Sequence, residues 1–218
     1  MKRYLLLLIF LVASVGASVS NAQETISNDE YWKPIRAAYA KQRTLTSRKT
    51  QVIVSTYDGK ESREEWTYIN HPPDGYHYIL KSTADGKTTR TEQITIATVK
   101  YCKRDGEEWK IVTSYCIPGG GIGGPSNIIK ELYEKDSGKL NKQKVTILRN
   151  YTTYLNTYSK TADKDGPSYM EFRYWLNSDG LIVQFESKKG LVTSSKPTST
   201  TIEKYEYDLK IKIEAPIK

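Results

Sequence analysis

Apolar and polar residues alternate through most of the chain beyond residue 50. Runs at residues 50–56, 61–69, 76–82, 88–101 and 108–115 read as strands of a first half, and 145–158, 169–177, 181–187 and 200–213 as strands of a second. Six Asp-Gly dipeptides, at Asp58-Gly59, Asp74-Gly75, Asp85-Gly86, Asp105-Gly106, Asp165-Gly166 and Asp179-Gly180, fall mostly between such runs. Asp-Gly tolerates the positive φ angles of tight hairpin turns, so the succession predicts a meandering antiparallel sheet. Ahead of the strands, Ile35, Ala38 and Tyr39 with Trp32 form the apolar stripe of a helix over residues 32–42, with Pro34 in its first turn.

Between the halves, residues 117–125 hold five glycines and read as a loop. Pro125 and Ser126 then open a short helix carrying Ile128, Ile129, Leu132 and Tyr133, and residues 134–144 are a polar connection. The alternation gathers Trp66, Tyr68, Tyr76, Tyr78, Leu80, Trp109, Ile111, Phe172, Tyr174, Leu181, Val183 and Phe185 on one face, opposite Lys, Glu, Thr and Arg. A one-sided sheet must cover its apolar face. Two short helices cannot roof so many strands as a flat layer. The expected fold is therefore mainly β: a curved antiparallel sheet forming an incomplete barrel, with an N-terminal helix and a short lid helix closing a hydrophobic cavity.

The first residues change the setting. Lys2 and Arg3 precede an apolar run at residues 4–15, and Ser20-Asn21-Ala22 offers small residues for a signal peptidase. The run is short for a membrane span of about 20 residues. Cleavage near Ala22 would leave residues 23–218 as a single exported domain, periplasmic or secreted, with no cysteine placed for lipid anchoring. The formal charge of +8 includes Lys2 and Arg3, and the remaining basic residues are scattered along polar strand faces. That pattern fits a solvated surface and excludes the aromatic and basic spacing of a nucleic-acid interface.

Cys102 and Cys116 are the only cysteines, and an oxidising compartment makes a disulfide the first expectation. A continuous hairpin through Asp105-Gly106 would separate them by roughly 23 Å at about 3.3 Å per residue. Bonding requires the second strand to stop early and the chain to double back; both arrangements remain open on sequence alone.

Chemistry-bearing patterns are sparse. Gly119, Gly121 and Gly124 match a dinucleotide-binding spacing, but hairpins flank them where that site needs a parallel βαβ unit; a connection or lid hinge is the better reading. His71 and His77, with Asp74, fall short of a four-ligand metal site. No glycine-flanked nucleophile accompanies a base, so neither an enzyme nor a cofactor is indicated. Asn150-Tyr-Thr152 fits a glycosylation sequon. The 17 tyrosines suit the wall of a half-wet cavity and equally suit ordinary strands.

Together these residues resemble the LolA/LppX-like envelope proteins. Glu64-Glu-Trp-Thr-Tyr-Ile-Asn-His-Pro-Pro-Asp74 is similar to that family's strand, Pro-Asp, strand segment. Glu92 to Tyr101, Asp105-Gly106 and Trp109 resemble its hairpin ending in Tyr, Asp-Gly and Trp. Asp179-Gly180-Leu181 and a last strand ending near Pro216 resemble its closing turn and terminal strand, with Ile182 where the family usually has Pro. The resemblance implies a half-barrel that carries or senses lipids or lipoprotein acyl chains, and it makes Arg43 the candidate for a buried gating arginine. The implied wall is Trp66, Tyr68, Tyr78, Leu80, Trp109, Ile111, Phe172, Tyr174 and Phe185. Ile128, Ile129 and Leu132 would form the lid, hinged at Gly119, Gly121 and Gly124. A monomer with acyl chains as partners is expected. The alternatives are an envelope interaction module docking a protein on a sheet edge, and a hydrolase with a scattered site.

Overall fold

The structure, a computed structural model, describes residues 23–57, 59–117, 127–155, 166–207 and 209–217. Residues 1–22, the expected leader, and Gly119, Gly121 and Gly124 lie outside the described residues. The first-half strands are β1 (Glu24–Thr25), β2 (Ser47–Tyr57), β3 (Lys60–His71), β4 (Gly75–Ala84), β5 (Lys87–Ile96), β6 (Val99–Arg104) and β7 (Lys110–Val112). They are followed by β8 (Ile128–Leu140), β9 (Gln143–Tyr154), β10 (Ser168–Leu176), β11 (Ile182–Leu191) and β12 (Ser199–Tyr207). A single helix, α1 (Asn28–Gln42), stands among the described residues.

The twelve strands among the described residues join one antiparallel sheet in the order β1-β8-β9-β10-β11-β12-β2-β3-β4-β5-β6-β7. β1 and β7 are its edges, so the curved sheet is an incomplete half-barrel. The two halves meet where β12 pairs with β2, Tyr205 opposite Lys49 and Glu203 opposite Gln51. The Asp-Gly turns behave as their chemistry dictates. Asp85 and Gly86 both take positive φ, 49° and 73°, and close the β4–β5 hairpin.

α1 starts earlier than its apolar stripe suggests. Ser27 is its N-cap: the Ser27 hydroxyl accepts from the Glu30 amide, and the Glu30 carboxylate accepts from the Ser27 amide at 2.8 Å. This capping box satisfies two otherwise orphaned donors. Pro34 consequently lies inside the helix rather than in its first turn. At the far end Lys41 Nζ donates to the Asp179 carbonyl at 3.1 Å, tying the helix to the β10–β11 turn. Arg43 caps the C-terminus and is exposed, so it is no buried gate.

Three strand expectations change. The second helix is absent: Ile128, Ile129, Leu132 and Tyr133 belong to β8, which continues through the supposed polar connection to Leu140. The run at 88–101 is two strands, because Ala97 turns the chain at a positive φ of 51° that alanine seldom adopts. The last strand stops at Tyr207.

Candidate binding face

The helix lies on one face of the sheet. Tyr31, Ile35 and Ala38 of α1 pack with Tyr133, Leu148, Tyr174, Leu176, Ile182 and Tyr205 into a buried core, flanked by Phe172 and Phe185. Tyr31, Ile35, Leu148 and Ile182 are each no more than 1% exposed. A bulge helps to build this core. Trp175 pairs with Gln184 but Leu176 with Ile182, so an extra residue in β11 switches its alternation and turns Ile182 inward. The predicted inward Val183 is that extra residue.

The same inner face continues across β2–β6 with no helix over it among the described residues. Register places Trp66 opposite Leu80 and Tyr68 opposite Tyr78. The rings form a continuous cluster: Tyr68 and Tyr78 are 4.6 Å apart between centroids, Tyr76 and Tyr78 5.2 Å. Trp66, Tyr68, Tyr76, Tyr78 and Leu80 are all half-buried, none fully. Desolvation still pushes the Tyr68 and Tyr78 hydroxyls above their usual pKa, keeping both neutral.

The far end of this half is shut by a covalent fold-back. β7 ends at Val112, the chain reverses, and Cys116 is bonded to Cys102 with Cα atoms 6.1 Å apart. The Cys116 amide donates to Gln93 Oε1 at 2.9 Å, leaving Gln93 1% exposed. Tyr115, one residue before Cys116, reaches the edge of the aromatic cluster, its hydroxyl 3.4 Å from that of Tyr76 and its ring 4.8 Å from Lys100 Nζ.

The expected wall is therefore divided. Trp66, Tyr68, Tyr78 and Leu80 share the open half, whereas Phe172, Tyr174 and Phe185 pack in or against the helix-covered core. Ile111 is misplaced: it pairs with Tyr101 on the opposite face and is 63% exposed, because the Asp-Gly turn ends later than a two-residue loop would. Trp109 precedes β7 and sits outside the strand register. The lid residues are strand residues, Ile128 and Ile129 being exposed and Leu132 paired with Tyr151 away from the core face.

Sequence reasoning missed the polar pair at the seam between the halves. Lys49 Nζ lies 3.1 Å from Glu203 Oε1, with side-chain exposures of 26% and 9%. Glu203 Oε2 also accepts from the Tyr205 hydroxyl. A charged residue at an inward position was the available sign, but pairing the two needs the β2–β12 register.

Elsewhere the face offers a groove of about 490 Å³ beside the start of α1, lined by Ile26, Lys33, Pro34, Lys135, Leu148 and Leu176 among others. The histidines sit in separate pairs, His71 with Asp74 at 2.9 Å and His77 with Glu92 at 3.2 Å. Among the described residues no group of three or more His, Cys, Asp or Glu side chains could hold a metal ion. Asn150 and Thr152 are each 3% exposed, so the sequon is buried in β9 and the fold leaves no room for a glycan on Asn150.

No known protein family matches the sequence, and no curated protein does. In structure the chain is similar to the lipoprotein LppX of Mycobacterium tuberculosis, at 12% identity and a TM-score of 0.48, covering 86% of this chain and 100% of that one. It is also similar to a domain from Vibrio parahaemolyticus described as an outer membrane lipoprotein-sorting protein, at 10% identity, a TM-score of 0.30, and 84% and 94% coverage. A DUF1329 family protein from Desulfovibrio piger is a third likeness, at 9% identity, a TM-score of 0.25, and 82% and 95% coverage.

Proposed function

We propose that this protein is an exported carrier or binder of lipids or lipoprotein acyl chains, working as a single domain outside the cytoplasm. The acyl chain lies on the open half of the inner face, against Trp66, Tyr68, Tyr78 and Leu80. One observation carries the reading: a face that is sealed core under α1 continues across β2–β6 as a half-buried aromatic surface. Such a surface gains by taking apolar cover from a ligand. Withdrawing about 14 methylenes from water contributes on the order of 10 kcal/mol at ~0.8 per methylene, so little polar recognition is needed. The Cys102–Cys116 bond supports export, since such bonds persist in oxidising compartments.

The test is mass spectrometry of an organic extract from protein purified from its native host without detergent. A lipid or acyl species near one equivalent is expected. An empty extract would overturn the reading in favour of an interaction module. For that second reading the relevant feature is the outer edge of β8. β1 pairs there only with Glu134 and Lys135, and Ile128 and Ile129 are 52% and 58% exposed.

A further inference from the structure

The Lys49–Glu203 pair lies in the inner face at the boundary between sealed core and open aromatic surface. In the cross-strand row through β12, β2, β3 and β4, Tyr205, Lys49, Tyr68 and Tyr78 stand side by side. Lys49 thus interrupts a row of tyrosines. In the next row Glu203 stands between Phe185 and Gln51. Placing charges among rings costs desolvation, which the pairing offsets only in part.

The pair is polarised in a definite direction. Both carboxylate oxygens of Glu203 are engaged, one by the Tyr205 hydroxyl and one by Lys49. The ammonium has three donors. Among the described residues it is bonded to Glu203 alone, which leaves two donors free. Lys49 is also the more exposed partner, 26% against 9%, so the positive end of the pair faces the open side. Glu203 and Tyr205 hold the ammonium in place, and Tyr68 and Tyr78 begin an apolar path leading away from it.

We propose that this is a headgroup site, and that the ligand is a single-chain amphiphile with a monoanionic head, a fatty carboxylate. The carboxylate accepts from the free donors of Lys49. Its chain runs across β3 and β4 toward β5, about 14 Å at strand spacings of about 4.8 Å, over Tyr68 and Tyr78 with Trp66 and Leu80 alongside. Charge complementarity selects the head, since one ammonium already shared with Glu203 suits at most a single negative charge, whereas a multiply charged head calls for clustered arginines. The inference rests on the carrier reading above and names its ligand class.

The experiment titrates the delipidated protein calorimetrically with laurate and, separately, with dodecanol, which has the same chain and no charge. Laurate is expected to bind roughly tenfold or more tightly than dodecanol, the range of a charge-assisted hydrogen bond. Lys49→Met should bring the laurate-to-dodecanol ratio down to near one, while Lys49→Arg should keep it. Because Lys49→Met strands a buried carboxylate, the double variant Lys49→Met/Glu203→Gln is titrated as well, with circular dichroism to verify its fold. Equal binding of the two ligands by the natural protein overturns the headgroup site and leaves the carrier reading standing. So does a laurate preference that survives in the folded double variant. If neither ligand binds, the carrier reading itself falls and this inference falls with it.

Discussion

The two halves of this sheet share one face and one alternation pattern, yet they end in different states. Across β8–β12 the inward residues meet α1, and Leu148 and Ile182 are 1% and 0% exposed. Across β2–β6 the buried inward residues are the bonded Cys102 and the polar Ser47, Gln93 and Thr95, whereas the large rings of Trp66, Tyr68, Tyr76 and Tyr78 stay half-exposed. Alternation therefore determines which side is apolar, and cover determines whether it becomes core. The β8–β12 half is covered by an amphipathic helix held by its capping box. The β2–β6 half is closed only at its far end, by a disulfide-bonded fold-back.

Alkaline pH should separate burial from exposure most forcefully. Burial pushes the Tyr31, Tyr174 and Tyr205 hydroxyls far above the usual 10.0. A raised folded pKa means that the stability is fully present below pH 10 and is lost as the pH rises beyond it, because the unfolded chain ionises first. Each such tyrosine costs up to about 1.4 kcal/mol per pH unit, so the three together approach about 4. Tyr31 Oη has no partner among the described residues, so Tyr31→Phe removes a buried hydroxyl without breaking a bond. The fall in urea midpoint between pH 9 and pH 11 should be smaller in Tyr31→Phe, with Tyr174 and Tyr205 carrying the remainder, and unchanged in Tyr115→Phe, a residue 59% exposed. Equal effects would erase the distinction.

Paired truncations sharpen the same contrast at neutral pH. Leu148→Ala leaves a cavity beneath α1 and should cost about 2–5 kcal/mol. Leu80→Ala on the open half should cost about 1, because its side chain is only half withdrawn from water. Urea denaturation of the ligand-free protein measures both. Similar losses would mean that the open half is packed core, leaving no surface for an acyl chain.

Much of this architecture was legible in the chain because it rests on short-range chemistry. Asp-Gly turns position the hairpins, and strict alternation assigns Trp66, Tyr68, Tyr78 and Leu80 to one side. The errors arise where two periods coincide or where distant segments decide. Ile128, Ile129, Leu132 and Tyr133 sit at spacings that fit a helix as well as an edge strand, and a short apolar run cannot choose between them. Val183 and Ile182 exchange faces because of a bulge that no residue type announces. Nothing local links Lys49 to Glu203, which become neighbours only when the last strand pairs with the first long one. The fold was thus more visible than the candidate site.

Breaking the covalent closure tests whether the halves depend on one another. Cys102 and Cys116 enclose a 14-residue separation, and such a link stabilises by about 3 kcal/mol, mainly by restricting the unfolded chain. A purely unfolded-state effect would lower the urea midpoint of the whole molecule and leave native hydrogen exchange at both ends unchanged in pattern. The structure favours a local component, because Cys116 also positions its amide on Gln93 and brings Tyr115 to Tyr76. In Cys102→Ser/Cys116→Ser, amides of β5–β7 should therefore lose protection beyond the global loss, while those of β9–β11 lose only the global share. Uniform loss would show that the helix-covered half and the disulfide-closed half form a single cooperative unit. The open aromatic surface would then owe its shape to the core under α1 rather than to its own closure.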